Sequence, residues 1–458
     1  MKRVLGGLLL ALVCLAVAYG YWATSRERLY RDHIARGEAA LAHDDPAAAI
    51  EAYSGALDIK PDSMLGYLKR GDAYRRQNDL ESARRDLRQA AVLDATSPRT
   101  FELLGDVSYA MGRYERAADR FQESVRLDDR SARVQYKLAL ARYRTGQLAG
   151  AVTSLGTAIA LDEKFAEAHY LLGLCYRDQQ KPAESVASLR RSVALSPASI
   201  HAREELADLL GRLGRPEDRI AQLEALLHLD PGPLREVALG LAYARAGRPD
   251  SAVITLRRAA ERHPQHPHTY AALGRVWLDM AQMRGDRVDL SKAVEALRGA
   301  VASDQSSEAL TLFGRALLAS GDTEGAYRTL QQAADKLPVD PMAFYYLADV
   351  AERRGSADIA RRALLDYQAL EGGGLETRRR TTLAVRIGDL SVRLGDLPTA
   401  IAFYQRAADA LPEASVFVRL ADAQMRARDT AAARATLARA LEKDPDNRTA
   451  LLLQLRLR

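Results

Sequence analysis

Small and large residues recur along this chain at fixed intervals. A glycine or alanine stands at Gly37, Gly71, Gly105, Ala139, Gly173 and Ala207, each 34 residues after the last. Gly240, Gly274, Gly314, Ala348, Gly388 and Ala421 continue the series at spacings of 33, 34, 40, 34, 40 and 33. Twelve positions on comes a second small residue, as at Ala49, Ala83, Ala117, Ala151, Ser185 and Ala252. Four further sits a large apolar one, as at Tyr53, Leu87, Phe121, Leu155, Leu189, Leu256 and Tyr404. Small residues on two successive helices let their backbones approach while the large side chain fills the space beside them. Each period therefore predicts an antiparallel helix pair. Seven residues past the first small position come Gly112, Gly146, Gly214, Gly247, Gly321, Gly355 and Gly395, with Asn78 in the same slot. They supply the left-handed conformation that ends a helix. Pro61, Pro197, Pro231, Pro264, Pro338, Pro412 and Pro445 close periods, because proline lacks the N–H that would continue the second helix. Helices of about 14 residues are marginal alone and must borrow burial from the next pair.

These residues closely resemble the tetratricopeptide repeat (TPR) pattern, with twelve repeats from Tyr30 to Asn447. The resemblance implies an all-α fold: a right-handed α-solenoid of about twelve TPR helix pairs, preceded here by one N-terminal hydrophobic helix. The bulky residue near the start of each repeat is present at Tyr67, Phe101, Tyr270, Phe344 and Phe417 but replaced by His33, Gln135 and Glu236, which predicts looser packing there. The repeat at 267–306 holds extra residues around Ala281 to Asp289, lengthening its first helix or its turn. Residues 371–380, with three glycines and three arginines, read as a linker. Ten repeats over 30–370 and two over 381–447 then form separate arms, and the tail to Arg458 adds a capping helix.

Residues 1–29 precede the repeats. After Lys2 and Arg3 there is no charge from Val4 to Ser25, a helical rise of about 33 Å that suffices for a bilayer core. Tyr19, Tyr21 and Trp22 at the far end suit the membrane interface, so residues 4–25 predict a signal anchor. A cleaved signal peptide is the rival, since Ala16-Val17-Ala18 fits a cleavage site. The signal-like start places the body outside the cytoplasm, on the periplasmic side. Arg26, Arg28, Arg31 and Arg36 favour the opposite, cytoplasmic-face orientation.

Composition narrows the chemistry. With 66 basic and 60 acidic residues the chain is mixed rather than polycationic, so nucleic acid is permitted but not indicated. Two cysteines exclude a disulfide framework and a four-cysteine zinc site. No phosphate loop, dinucleotide fingerprint, HExxH or GxSxG occurs, and the repeats leave little chain for a catalytic domain, so no enzyme and no cofactor is expected. His263, His266 and His268 cluster, but Pro264 and Pro267 mark an ordinary inter-repeat turn there, and no metal is expected. Cys175 reads as a packed small hydrophobe.

The TPR resemblance implies protein or peptide binding on the concave groove of first helices, through the second, fifth, ninth and twelfth places of each repeat. In the third to fifth repeats these places, with Lys137 adjacent, supply the candidate residues Tyr109, Arg133, Tyr136, Lys137, Tyr143, Tyr170 and Arg177. Rigid rings with polar tips, interleaved with cations, suit peptide recognition; the competing reading is packing between neighbouring first helices. Tyr74, Tyr176 and Tyr243 fall at the inter-helix packing place. Acidic ninth places (Glu38, Asp72, Asp106, Asp208, Asp349, Asp389, Asp422) favour cationic or hydrogen-bond-donating segments on the ligand, less those that pair with arginines such as Arg75, Arg393 and Arg426. A carboxylate clamp is not built, since the only asparagines are Asn78 and Asn447. The expectation is a non-catalytic, membrane-anchored scaffold that binds partner proteins and aids assembly or secretion in a cell envelope. The alternatives are a nucleic-acid-binding solenoid, which the pI of 9.2 allows, and a cytoplasmic-face adaptor subunit of an enzyme complex.

Overall fold

A computed structural model describes residues 2–371, 374 and 376–457; the side chains of residues 2–9, 11, 13 and 16 fall outside that description. Among the described residues the regular structure is all helical and divides into two compact bodies, residues 1–215 and 216–458. The first body runs α1 (Lys2–Ala42), α2 (Pro46–Ile59), α3 (Met64–Arg76), α4 (Leu80–Leu93), α5 (Pro98–Ala110), α6 (Tyr114–Leu127), α7 (Ala132–Arg144), α8 (Leu148–Leu161), α9 (Ala166–Asp178), α10 (Pro182–Leu195) and α11 (Ile200–Arg212). The second runs α12 (Pro216–Leu229), α13 (Pro233–Arg245), α14 (Pro249–Arg262), α15 (Pro267–Arg284), α16 (Arg287–Ser303), α17 (Ser307–Ser320), α18 (Thr323–Ala334), α19 (Pro341–Arg353), α20 (Ala357–Glu371), α21 (Thr377–Arg393), α22 (Leu397–Ala410), α23 (Ala414–Arg426), α24 (Thr430–Lys443) and α25 (Arg448–Arg456). Within each body consecutive helices pack as antiparallel pairs.

The predicted close approach recurs in the helix pairs within each body. A Cβ on Gly105 would lie 2.4 Å from the Phe121 ring, one on Gly37 2.3 Å from Tyr53, and one on Gly388 2.6 Å from Tyr404. Where the facing side chain is leucine, alanine also serves, as with Ala139 and Leu155 in one buried cluster. Helix starts are capped locally: Asp45, Asp79, Asp322, Asp396 and Asp429 accept from backbone N–H groups of second helices, and Ser63, Ser97, Ser131, Ser199 and Ser306 do so for first helices. The turn inside each pair holds a residue with positive φ, at the expected glycines and Asn78 but also at Asp44, Gln180 and Arg428.

Three expectations need revision, and a fourth is resolved in favour of one of its alternatives. The repeats lacking a bulky starter are not loose: Gln135 and Glu236 are 6% and 5% exposed, and the His33 ring packs where a Cβ on Gly55 would stand, 2.6 Å away. In the long repeat the first helix does lengthen, α15 to 18 residues, and α16 extends with it to 17, while their turn stays short at Gly285 and Asp286. The 371–380 segment is only partly a linker, because Thr377 to Arg380 form the first turn of α21; residues 372, 373 and 375 lie outside the described residues. One apolar cluster holds Leu364 and Tyr367 from before the glycines together with Leu383 and Ile387 from after them, so both flanks share a core. The membrane span expected at 4–25 finds no support: among the described residues no helix is long and apolar enough to cross a membrane. Residues 2 to 42 form one continuous helix, so the N-terminal stretch runs directly into the first repeat. At the other end α25 buries Ala450 and Leu453 and exposes Leu452 and Leu455.

Candidate peptide-binding groove

In the first body, α5, α7 and α9 are successive first helices, and their shared face carries the candidate residues. Four of the seven come together. Tyr109, Arg133, Tyr136 and Lys137 line one cleft of about 400 Å³, with Asp106, Phe121, Leu140, Phe165 and Glu167 completing its wall. Its walls are mainly rings. Tyr136 packs on Phe165 with centroids 5.1 Å apart, and Tyr109 meets Tyr114 edge-on at 5.0 Å. Burial, with the Glu167 charge nearby, pushes the Tyr136 phenol up, so it stays a neutral donor.

The cations of the cleft are already engaged. Glu102 is 3% exposed and takes Lys137 at 2.8 Å, Arg99 at 2.6 Å and Arg133 at 2.9 Å. Lys137 also reaches Asp106 at 2.7 Å. Burial alone would raise the Glu102 carboxyl, but the Lys137 and Arg99 bonds outweigh it and hold the group below the usual range. Lys137 is thus a brace between α5 and α7, and only Arg133, which stays exposed, keeps its head toward solvent.

The remaining three candidates lie elsewhere on the face. Tyr143 donates to Asp178 at 2.8 Å, and Arg177 bonds Asp178 at 2.8 Å and Glu205 at 2.7 Å. Burial and the Asp178 bond push the Tyr143 phenol up to about 12. Tyr170 instead packs against Val186, Leu189 and Leu206 between repeats. Tyr74 and Tyr243 are packing residues, as their place predicts.

A pairing that sequence reasoning missed engages four of the seven acidic ninth places. In these four the sixth place of the following repeat carries a cation that bonds the ninth-place carboxylate: Lys69 to Glu38 at 2.7 Å, Lys137 to Asp106, Arg386 to Asp349, and Arg419 to Asp389 at 2.7 Å. Arg75 and Arg426 pair with Asp72 and Asp422 within their own helices, as expected. The partner of Asp389, however, is Arg419 rather than Arg393. These carboxylates brace neighbouring repeats and are not a free acidic stripe awaiting a cationic ligand. The signal was present, as lysine or arginine 30, 31 or 37 residues after these four acids, but only the tertiary register brings them together. Phe165 was missed because it sits in the turn before α9, outside any first-helix place.

His263 lies 3.6 Å from Glu236, which Arg262 also bonds at 2.7 Å, and the rings of His266 and His268 are 5.4 Å apart. Among the described residues no group of three or more His, Cys, Asp or Glu side chains is placed to hold a metal ion.

Comparison with known proteins accords with this repeat geometry. A tetratricopeptide repeat family model matches residues 34–98, 102–159, 136–200, 311–373 and 418–457, together more than half of the chain, and a second matches 233–276. The small glutamine-rich tetratricopeptide repeat-containing protein 2 of Mycosarcoma maydis is 31% identical over 87 residues, which is 19% of this chain and 25% of that relative. Among solved structures, MamA is 24% identical over 35% of this chain and 94% of its own, with a TM-score of 0.34. YrrB, titled a TPR protein with an unusual peptide-binding site, is 20% identical over 41% and 96%, with a TM-score of 0.37. A chain of the APC/C hetero-tetramer Cut9-Hcn1 covers 93% of this chain and 96% of its own at 14% identity and a TM-score of 0.38. None of these reaches a TM-score of 0.5, so the assignment stands on the sequence models together with the helix pairs and their small-against-large contacts. On those grounds the chain belongs to the tetratricopeptide repeat family.

Proposed function

We propose that this chain is a non-catalytic scaffold that binds a peptide segment of a partner protein along the first helices of its first body, seating a bulky apolar side chain in the cleft between Tyr109, Tyr136, Leu140 and Phe165. The observation that carries the reading is that cleft: an open, ring-walled space of about 400 Å³ on the first-helix face. Its charged neighbours are mostly satisfied internally, which leaves apolar contact as the main source of affinity. Arg133 and Glu167 at the rim, both exposed, offer one anchor of each sign for flanking residues. The cations along this face are mostly bonded to carboxylates of the fold, which leaves few to neutralise phosphates and argues against nucleic acid.

Peptide display against the full chain tests the reading. Enriched sequences should share a large apolar residue and lose at least tenfold in affinity for Leu140→Glu. If selected peptides bind that variant equally well, the cleft is not the site. Attachment to a membrane through residues 4–25, with the body on the periplasmic side, rests on the amino-acid sequence alone. Protease protection of a tag after Arg458 decides it: cleavage once the outer layer is opened supports that side, and protection until lysis supports the cytoplasmic face.

A further inference from the structure

The second body carries a cleft of different chemistry, about 530 Å³, between α19, the end of α20 and the start of α21. It exists because α21 begins one turn ahead of the regular first-helix start. It has 17 residues where α19 and α23 have 13, and the surplus turn, Thr377 to Arg380, lies ahead of the regular start of the repeat. That turn adds Arg378 and Arg379 to a wall otherwise made by Met342, Tyr345, Tyr367 and Leu383.

The charges on this wall are of two kinds. Arg386, two turns further along α21, bonds Glu352 at 2.6 Å and Asp349, with its guanidinium 5.5 Å from the Tyr345 ring, so it is committed to the fold. Arg378 and Arg379 are exposed and have no carboxylate within ion-pair distance among the described residues. Glu376 is the one acid on the lining. Beneath them Tyr345 and Tyr367 meet edge to face at 5.4 Å, and Tyr367 is 8% exposed, a firm apolar floor.

We propose that this cleft is a second binding site, separate from the groove of the first body, and that it takes an acidic peptide segment carrying a bulky apolar side chain. The acidic residues meet Arg378 and Arg379, and the apolar side chain rests on the tyrosine floor beside Met342 and Leu383. Unpaired guanidiniums at the mouth select carboxylates by bidentate, charge-assisted bonds. The floor is edge-on and recessed rather than an open stacking platform, which favours a single side chain over a run of bases.

The test is fluorescence anisotropy of the labelled peptide EELFEDL with the full chain. Saturable binding is expected, weakened at least tenfold by Arg378→Glu combined with Arg379→Glu, and weakened several-fold between low and moderate salt. Replacing the leucine and phenylalanine of the peptide by serine should also weaken it markedly. The first-body variant Leu140→Glu should leave the affinity unchanged, so that failure of the groove reading and failure of this one are distinguishable. Circular dichroism of the double variant should match the parent, since both side chains are exposed. No saturable binding up to millimolar peptide overturns the proposal. So does equal binding by the double variant, or capture of an oligo-dT strand by these arginines in preference to the peptide.

Discussion

Replacing Gly105 by alanine isolates the contact on which the repeat depends. The new Cβ would stand 2.4, 2.5 and 2.9 Å from Cε1, Cδ1 and Cζ of Phe121, a ring that is 1% exposed. A buried ring edge cannot rotate away as an aliphatic tip can, so the overpacking should cost about 2–3 kcal/mol. Alanine returns about 1 kcal/mol through its higher helix propensity. The net loss is then about 1–2 kcal/mol, a roughly 5–30-fold rise in local opening. Gly173→Ala is the internal control. Its Cβ would meet Leu189 Cγ at 2.7 Å and Cδ2 at 2.8 Å, but Ala139 already coexists with Leu155 in an equivalent pair. That variant should be close to neutral. Hydrogen exchange resolves the two sites, because a repeat protein opens locally and a single melting temperature would blur them. Amides of α5 and α6 should lose protection in Gly105→Ala, those of α9 and α10 should not in Gly173→Ala, and Phe121→Leu should restore the former. Equal protection in both variants would refute the reasoning.

Other consequences are as direct. Lys137→Met removes one of three cations from Glu102 and should destabilise α5 and α7 by about 1–2 kcal/mol at neutral pH, less than a fully orphaned buried charge costs. The Glu102 carboxyl is depressed in the fold, so this stabilisation is complete above its unfolded value and is lost as pH falls through the folded one. The exchange difference between parent and variant should therefore shrink only as pH falls below the ordinary glutamate range, and a constant difference through that fall would contradict the assignment. Tyr53→Phe should be neutral or stabilising in a thermal melt, because the Tyr53 hydroxyl is buried without a partner. Arg428→Gly should gain up to about 1 kcal/mol in chemical unfolding by relieving a left-handed residue at φ 65°. Burial pushes the Cys175 thiol up to about 12, so maleimide at pH 8 should leave Cys175 unlabelled in the folded chain; its labelling would show that repeat five opens readily.

Much of the candidate face was legible in place but not in state. Counting first-helix places brought Tyr109, Arg133, Tyr136 and Lys137 to one cleft, because a fixed period puts equivalent places on the same face of successive helices. Counting could not show that Lys137 is consumed by Glu102 and Asp106, that Tyr170 packs between repeats, or that Phe165 enters from a turn. Each of those depends on how far one helix is rotated and shifted against the next, a quantity no single period contains.

By itself the sequence determined the helix pair, its close contact and its ends. These are local facts: glycine alone leaves room against Tyr53, Phe121 and Tyr404, and proline stops a helix wherever it stands. Tertiary structure decided the rest. Asp44, Gln180 and Arg428 hold positive φ without being glycine, because packing of the flanking helices outweighs a cost of about 1–2 kcal/mol. His33 finds its room on Gly55, a residue of the partner helix. The glycines after α20 do not separate two arms, since Leu364 and Tyr367 share a core with Leu383 and Ile387. A flexible segment permits its flanks to part, and buried area across it decides whether they do.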